Sequence, residues 1–492
     1  MCLFALLYAY LNERVKANMG KEYSFSKDLM SVVGSNIIIL VSSIVTGFVV
    51  PKVLGVQEYG LYKIFTLYLS YSALMHVGFV DGILLTFAGY DYDNLPKEKF
   101  RRYTHFFFCF QSIVALAIIS VAITILSHQY KVIFVLLAID ILAINMTAYY
   151  QYISQSTMRF LELSVRKILL SVLKIVLVLI LLVVSKLSIH WLANAYFYVG
   201  GLVAIDVGLV VWYFLSYKDI SIGKKSNMSF CKDDIIHFFK QGIILTVAYQ
   251  ASMVIFSLDR QFVSVLFDTE TYGVYSFAYS IISMVTTVVS AVSFVLFPRL
   301  KQLSKETIMG TFSKAMASIS IISVAAMMGY QPLCILIKII LSEYVDSIEY
   351  LRIIIPGLAL SCCINIIMFT YYKALDAHYI YFKLSCIVLV LSAILNYLAY
   401  KMGGTPVYIS IVSVISLLIW YFLSESYFIK NYNIKWKKNM IYISVSMVVF
   451  YLITFYIDNY FISWCVFSLY FVLATFALYK ELVFEICHKF RS

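Results

Sequence analysis

Fourteen long apolar runs divide this chain, at about 29–50, 61–88, 103–127, 131–153, 166–185, 189–216, 235–257, 271–297, 311–340, 350–373, 380–400, 405–428, 439–457 and 460–480. Each is long enough to cross ~30 Å of hydrocarbon as a helix of about 20 residues. Lipid cannot satisfy backbone N–H and C=O groups, so a spanning chain must be helical or a closed barrel. The alternating pattern of barrel strands is absent. The expected fold class is therefore all-α integral membrane, with about 14 transmembrane helices. Composition agrees, because 13% of the residues are charged where soluble domains carry about 25%.

The cations fix an orientation. Of 38 Lys and Arg, 29 fall in alternate connections and 8 in the intervening ones. Lys174 is left inside a run. By the positive-inside rule the lysine-rich side, with both termini, is cytoplasmic. The net charge of +12 is thus a topology signal and not a nucleic-acid surface, and no nucleic-acid partner is expected. The nine cysteines have neither metal nor disulfide spacing and read as small packing residues. Residues 1–11 are apolar but too short to span and lack a signal-peptide pattern. The natural start is expected near Met19, with residues 1–18 an extension.

One motif recurs. Tyr59-Gly60-Leu61-Tyr62 returns as Tyr272-Gly273-Val274-Tyr275, each preceded by a Val-Leu pair, a short polar break and a long apolar run. Both copies follow an odd-numbered run, so the two halves run parallel. The expected organisation is a cytoplasmic N-terminal segment at 1–28, an N-lobe of spans one to six at 29–216 and a cytoplasmic connection at 217–234. A C-lobe of spans seven to twelve follows at 235–429, then spans thirteen and fourteen with the C-terminus at 430–492. The motif tyrosines, with Tyr371, Tyr372, Tyr379 and Tyr381, are expected at the membrane interface.

Catalytic signatures are missing. Gly223-Lys224-Lys225-Ser226 lacks the upstream glycine of a phosphate loop, where Lys218 stands. No zinc-protease, C-x-x-C or nucleophile-elbow motif occurs. The chain reads as a non-enzyme without a cofactor. Its chemistry is expected from polar groups inside the runs, where an ionisable side chain costs roughly 2.5–3.5 kcal/mol. Lys174 lies ~12 Å inside its span. It reads either as a cation facing a cavity or as a snorkelling side chain. Asp140 and Asp206 are also deep, as a counter-charge for Lys174 or as a relay. Asp259-Arg260 sits at the end of span seven, and reads either as a pair of interfacial anchors or, through Arg260, as a cation placed to meet a phosphate. Asn36 is a neutral polar group in span one. His76 stands near Asp81-Gly82, and a kink is expected at Pro332.

Three stretches carry a family resemblance. They are Pro51-Lys52-Val53-Leu54-Gly55 with Glu58-Tyr59-Gly60-Leu61-Tyr62, then Gly78-Phe79-Val80-Asp81-Gly82-Ile83, then Leu258-Asp259-Arg260 through Tyr272-Gly273-Val274-Tyr275-Ser276 to Ala278-Tyr279 and Phe297-Pro298. With the span count they resemble Wzx-type polysaccharide flippases of the multidrug/oligosaccharidyl-lipid/polysaccharide exporter superfamily. The resemblance implies two six-helix lobes in a V plus two C-terminal helices. It implies export of an undecaprenyl-pyrophosphate-linked oligosaccharide across the bacterial cytoplasmic membrane, for O-antigen, capsule or a related glycan. Lys174, Arg260 and Asn36 would then meet substrate, and Asp140, Asp206 and Asp259 would carry coupling or charge balance. Membrane lipids, a proton or sodium ion and glycan polymerases are the implied partners. A drug/cation antiporter of the same superfamily is the alternative, and a membrane polysaccharide polymerase a more distant one.

Overall fold

A computed structural model describes residues 25–157, 159–187, 189–300, 305–432 and 438–489. The expected extension at 1–18 lies outside them. Sixteen helices carry the described chain: α1 (Phe25–Leu69), α2 (Phe79–Phe87), α3 (Lys97–Ile125), α4 (His128–Ser156), α5 (Phe160–Lys186), α6 (Ala195–Ser216), α7 (Met228–Leu266), α8 (Thr269–Leu300), α9 (Lys305–Met327), α10 (Tyr330–Ile340), α11 (Ser347–Cys362), α12 (Phe369–Ala374), α13 (His378–Gly403), α14 (Pro406–Tyr432), α15 (Lys438–Tyr456) and α16 (Tyr460–Lys489). A single turn at Lys218–Ser221 precedes α7, and a π-helical turn at Cys363–Met368 joins α11 to α12. No strand occurs among the described residues.

Eleven described helices, or twelve with the bent pair Val41–His76 and Phe79–Phe87, are long and apolar enough to cross a membrane. The second expected run is the one carried by the bent pair, and the first on α1 and the eighth on α8 are helical as well. A kink in α1 separates the first two runs. Pro51 withholds one backbone donor, and Gly55, one turn later, takes φ 71°, a conformation that strains any residue with a Cβ. The break expected at Pro332 falls just upstream, between Met327 and Tyr330.

The chain divides into two compact units, Ile37–Gly273 and a second that takes in Val274–Ser492. In the first, lipid-facing leucine and valine are exposed along α5, among them Leu169, Val172, Val176, Leu179 and Val183. The interior is aromatic. Phe79 stacks on Phe107 at 5.0 Å and meets Phe238 edge-on at 5.7 Å. Such pairs contribute ~0.5–1.5 kcal/mol each. They matter in lipid, where helix association rests on packing rather than on the hydrophobic effect.

Glycines set the closest approaches in this unit. Val77 and Gly78 take left-handed conformations at φ 50° and 84°, and there the second run bends by 57°. His76 Nδ1 accepts the Gly78 N–H at 3.2 Å. Beyond the bend, α2 lies directly on α7. A Cβ on Gly242 would stand 1.8 Å from the Gly78 carbonyl oxygen, and one on Gly82 would stand 2.1 Å from that of Phe238. The Thr246 hydroxyl donates to buried Asp81 across the same crossing.

The two motif copies also meet. A Cβ on Gly60 would stand 2.1 Å from the Thr269 oxygen, and one on Gly273 would stand 2.4 Å from the Val56 oxygen. Each carbonyl lies four residues before the other copy's glycine, so the contact has a local two-fold form. The tyrosines expected at the interface are packing groups instead. Tyr59, Tyr62, Tyr272, Tyr275, Tyr371, Tyr372 and Tyr381 are buried, and of that set Tyr379 is exposed. Their positions near run ends suggested an interfacial belt. Neighbouring rings enclose them instead: the Tyr372 ring stands 4.5 Å from that of Phe428 and 5.4 Å from that of Tyr381.

The basic connection around 217–234 is pinned to the first unit. Lys97 Nζ lies 2.9 Å from Asp219 Oδ2, the Tyr92 hydroxyl donates to Asp219 Oδ1 at 2.6 Å, and Arg101 Nε donates to the Asp219 carbonyl at 2.7 Å. Arg102 holds the Ser226 carbonyl at 2.7 Å. Partial burial pushes the Asp219 carboxyl up, but donation from Tyr92 and Lys97 outweighs it and holds the group below its ordinary value. A depressed carboxyl contributes stability above its unfolded value, and the contribution disappears as pH falls through the folded one. Asp219→Asn is expected to cost less than ~1 kcal/mol near neutral pH, because the pair is part-exposed. The difference in melting temperature from wild type should close below about pH 4.

Candidate functional site

Two groups of charge lie within the first unit. The first is built from α4, α5 and α6. Asp140, fully buried, and Asp206, 7% exposed, interact electrostatically with each other and with Lys174. Neither Asp140 oxygen has a hydrogen-bond partner among the described residues. Asp140 shares its helix with Asn145, whose amide donates to Gln111 Oε1 at 2.8 Å and to the Ser72 carbonyl at 3.1 Å. That bond network ends at Asn145. The carboxylates act on Lys174 through space, and three ionisable groups, two acidic and one basic, lie close enough to interact.

The second group gathers on α1 and α7. Hydropathy falls at Asp259-Arg260-Gln261 and suggests that the span ends there, but α7 runs on to Leu266. Asp259 is consequently interior, 1% exposed, and its Oδ1 accepts the Arg260 N–H at 2.7 Å. The Arg260 guanidinium donates to the Phe256 carbonyl at 3.2 Å. Lys63 faces it, close enough that the two positive charges act on one another. Lys63 Nζ lies 5.1 Å from the ring centroids of both Tyr59 and Tyr62. Cation–π contact of this kind offsets part of the desolvation of an ammonium. Hydroxyls complete the surface: Tyr71 shares a hydrogen bond of 2.9 Å with Ser257, and Gln261 donates to the Tyr68 hydroxyl at 2.8 Å. Two cations with one carboxylate leave an excess of positive charge among phenolic donors. That is an arrangement suited to an anion carrying polar substituents.

The sequence-derived residues thus fall into two groups, Lys174 with Asp140 and Asp206, and Arg260 with Asp259. Asn36 lies on α1, and its side chain is outside the described residues. Lys63 is the member that sequence reasoning missed. It reads as an ordinary cation of a short external connection. The available signal was its place directly after the first motif copy, where the second copy has Ser276. Among the described residues no cluster of His, Cys, Asp and Glu could hold a metal ion.

No protein-family model and no curated protein matches the chain. Solved structures do. The lipid II flippase MurJ in an inward closed conformation superposes with a TM-score of 0.69 at 14% identity, covering 92% of this chain and 99% of that one. An inward-facing multidrug resistance MATE family transporter of the MOP superfamily gives 0.60 at 12% identity, covering 83% and 100%. The MATE transporter VcmN of Vibrio cholerae gives 0.52 at 13%, covering 83% and 98%. At these identities the likeness is one of fold. The chain is a multi-pass membrane protein with the fold of the MurJ flippase and the MATE transporters.

Proposed function

We propose that the protein is a flippase for an undecaprenyl-pyrophosphate-linked oligosaccharide, moving repeat units of a surface polysaccharide from the inner to the outer leaflet of a bacterial cytoplasmic membrane. Both termini then face the cytoplasm, as the loop cations suggest. The observation that carries this reading is the pairing of Lys63 with Arg260 inside the first unit. Two like charges held together in a protein interior repel, and an anion relieves the repulsion. A pyrophosphate offers enough charge for both, while the surrounding tyrosines present rings and hydroxyls suited to sugars. Lys174 with Asp140 and Asp206 supplies coupling or charge balance, and a proton or sodium ion is the coupling species of this reading. Asn36 is a further substrate contact on α1.

Deletion of the gene should leave lipid-linked repeat units in the inner leaflet, out of reach of an externally added probe. Complementation by Lys63→Ala or Arg260→Ala should lower export ~10- to 100-fold at wild-type protein levels, since a charge-assisted contact is worth about 1.5–3 kcal/mol. Normal export by both variants would end the site assignment. The likeness to MATE transporters favours one second reading, export of a drug or cation. In that case deletion changes drug sensitivity and leaves the surface glycan intact.

A further inference from the structure

The second unit holds an acid that the substrate reading does not use. Glu425 stands on α14, two turns before the helix ends at Tyr432. It is 2% exposed, its Oε2 has no hydrogen-bond partner among the described residues, and none of the ion pairs there involves it. The groups that act on it are uncharged in their ordinary state. They are Tyr421 one turn earlier on α14, Cys363 at the head of the π-helical turn, and Tyr479 on α16.

Among the described residues, the groups that the packed elements bring to this position are uncharged, with one exception. From α12, the Tyr372 hydroxyl donates to the Ser424 carbonyl at 3.2 Å. From α13, the Tyr381 ring stands 5.8 Å from that of Trp420. Ser320 of α9 lies 3.7 Å from the Cys363 sulfur, and α11 contributes buried Cys362. From α15, Tyr442 meets Tyr479 edge-on at 5.2 Å, and Asn439 accepts the Tyr479 hydroxyl at 2.6 Å. One cation is close to the cluster. Lys438 Nζ lies 4.9 Å over the Tyr479 ring, and makes no ion pair with Glu425.

An ionised carboxylate here would carry its desolvation cost with no ion-pair partner and with one oxygen unsatisfied among the described residues. A carboxylic acid carries far less of that cost. The surroundings also look built to respond. The helix facing Glu425 abandons the regular ladder for a π-helical turn, a feature that concentrates at functional sites. On the other side, α16 breaks at Tyr479, with φ −125° and ψ 28°. A charge appearing on Glu425 would therefore push against two irregular helical segments.

We propose that Glu425 is a proton-binding site of the second unit: the arrangement described holds the proton, and its release loosens α14 from the π-helical turn and from α16. The ligand is the proton itself. Tyr479 and Asn439 connect the site to Lys438 at the start of α15 and to Lys480, the residue after Tyr479 on α16. This site is separate from the Lys63–Arg260 group and stands whatever the exported molecule is.

Infrared difference spectroscopy of the purified full-length protein tests it. Wild type should show a carbonyl band of a protonated carboxyl that moves on exchange into D2O and is lost in E425Q. Wild type should also lose thermal stability as pH rises, and E425Q, which is neutral at every pH, should lose the share of that dependence that Glu425 contributes. Spectra of wild type and E425Q that agree in the carboxylic-acid region, or stability profiles that run parallel, would overturn the assignment. If E425Q does not fold, E425D takes its place. The shorter side chain must shift the band without removing it, and an unmoved band overturns the proposal equally.

Discussion

Gly60→Ala and Gly273→Ala are each expected to destabilise the first unit by at least ~1–3 kcal/mol, the usual cost of forcing extra volume into a packed interior. Gly242→Ala should do the same. At all three positions the new methyl meets a backbone carbonyl oxygen, at 2.1, 2.4 and 1.8 Å respectively. A backbone cannot rotate aside as a side chain can, so the helices must separate and lose their neighbouring contacts. Gly200 and Gly208 on α6 are the controls, because a Cβ there meets nothing within 4 Å. Alanine at those sites adds only helix propensity, worth up to ~1 kcal/mol in the stabilising direction. Thermal unfolding of detergent-solubilised protein, followed by size-exclusion fluorescence, should separate the two sets by sign. Equal melting temperatures in both sets would mean that the crossings are looser than described.

The same crossing shows what was legible in the sequence. The two copies of the motif are visible by inspection, 213 positions apart, and their hydropathy context marks a repeat. That their glycines face one another is a tertiary fact. It follows from how α1 crosses the start of α8 within the first unit, and no local periodicity carries it. Helix existence was legible because lipid enforces it along every apolar run. Helix ends were less so. A fall in hydropathy suggests an end at Asp259-Arg260, but the interior of a helical bundle accepts polar groups that lipid rejects, and α7 continues to Leu266. Lys63 was hidden by the same ambiguity in reverse. It follows the kink in α1, reads as a loop cation, and gains its meaning only from Arg260, on a helix almost two hundred residues away. Glu425 lies inside the twelfth run and carries no motif. Its lack of an ion-pair partner among the described residues is a property of several packed elements and of no segment of sequence.

Lys174→Met is expected to lower stability, by less than the ~3–5 kcal/mol of a broken buried ion pair, because among the described residues no ion pair joins the lysine to either aspartate and the compensation acts at longer range. Asp140 is fully buried and neither of its oxygens accepts a hydrogen bond among the described residues, so Lys174 is the compensation the structure offers it. Asp206 draws on the same lysine. Removing an acid as well should reverse the loss. Lys174→Met combined with Asp140→Asn and Asp206→Asn replaces the charged group by neutral ones of similar size, and should return the melting temperature to within ~1 kcal/mol of wild type, since neutral replacement of a whole buried group is often tolerated. Export then divides the two roles of the group. If it serves only charge balance, the triple variant exports as well as wild type. If it couples transport to an ion, the triple variant folds normally, yet export no longer responds to the imposed gradient. A single Lys174→Met that leaves stability unchanged would show that the lysine does not compensate the two aspartates, and the grouping itself would fall.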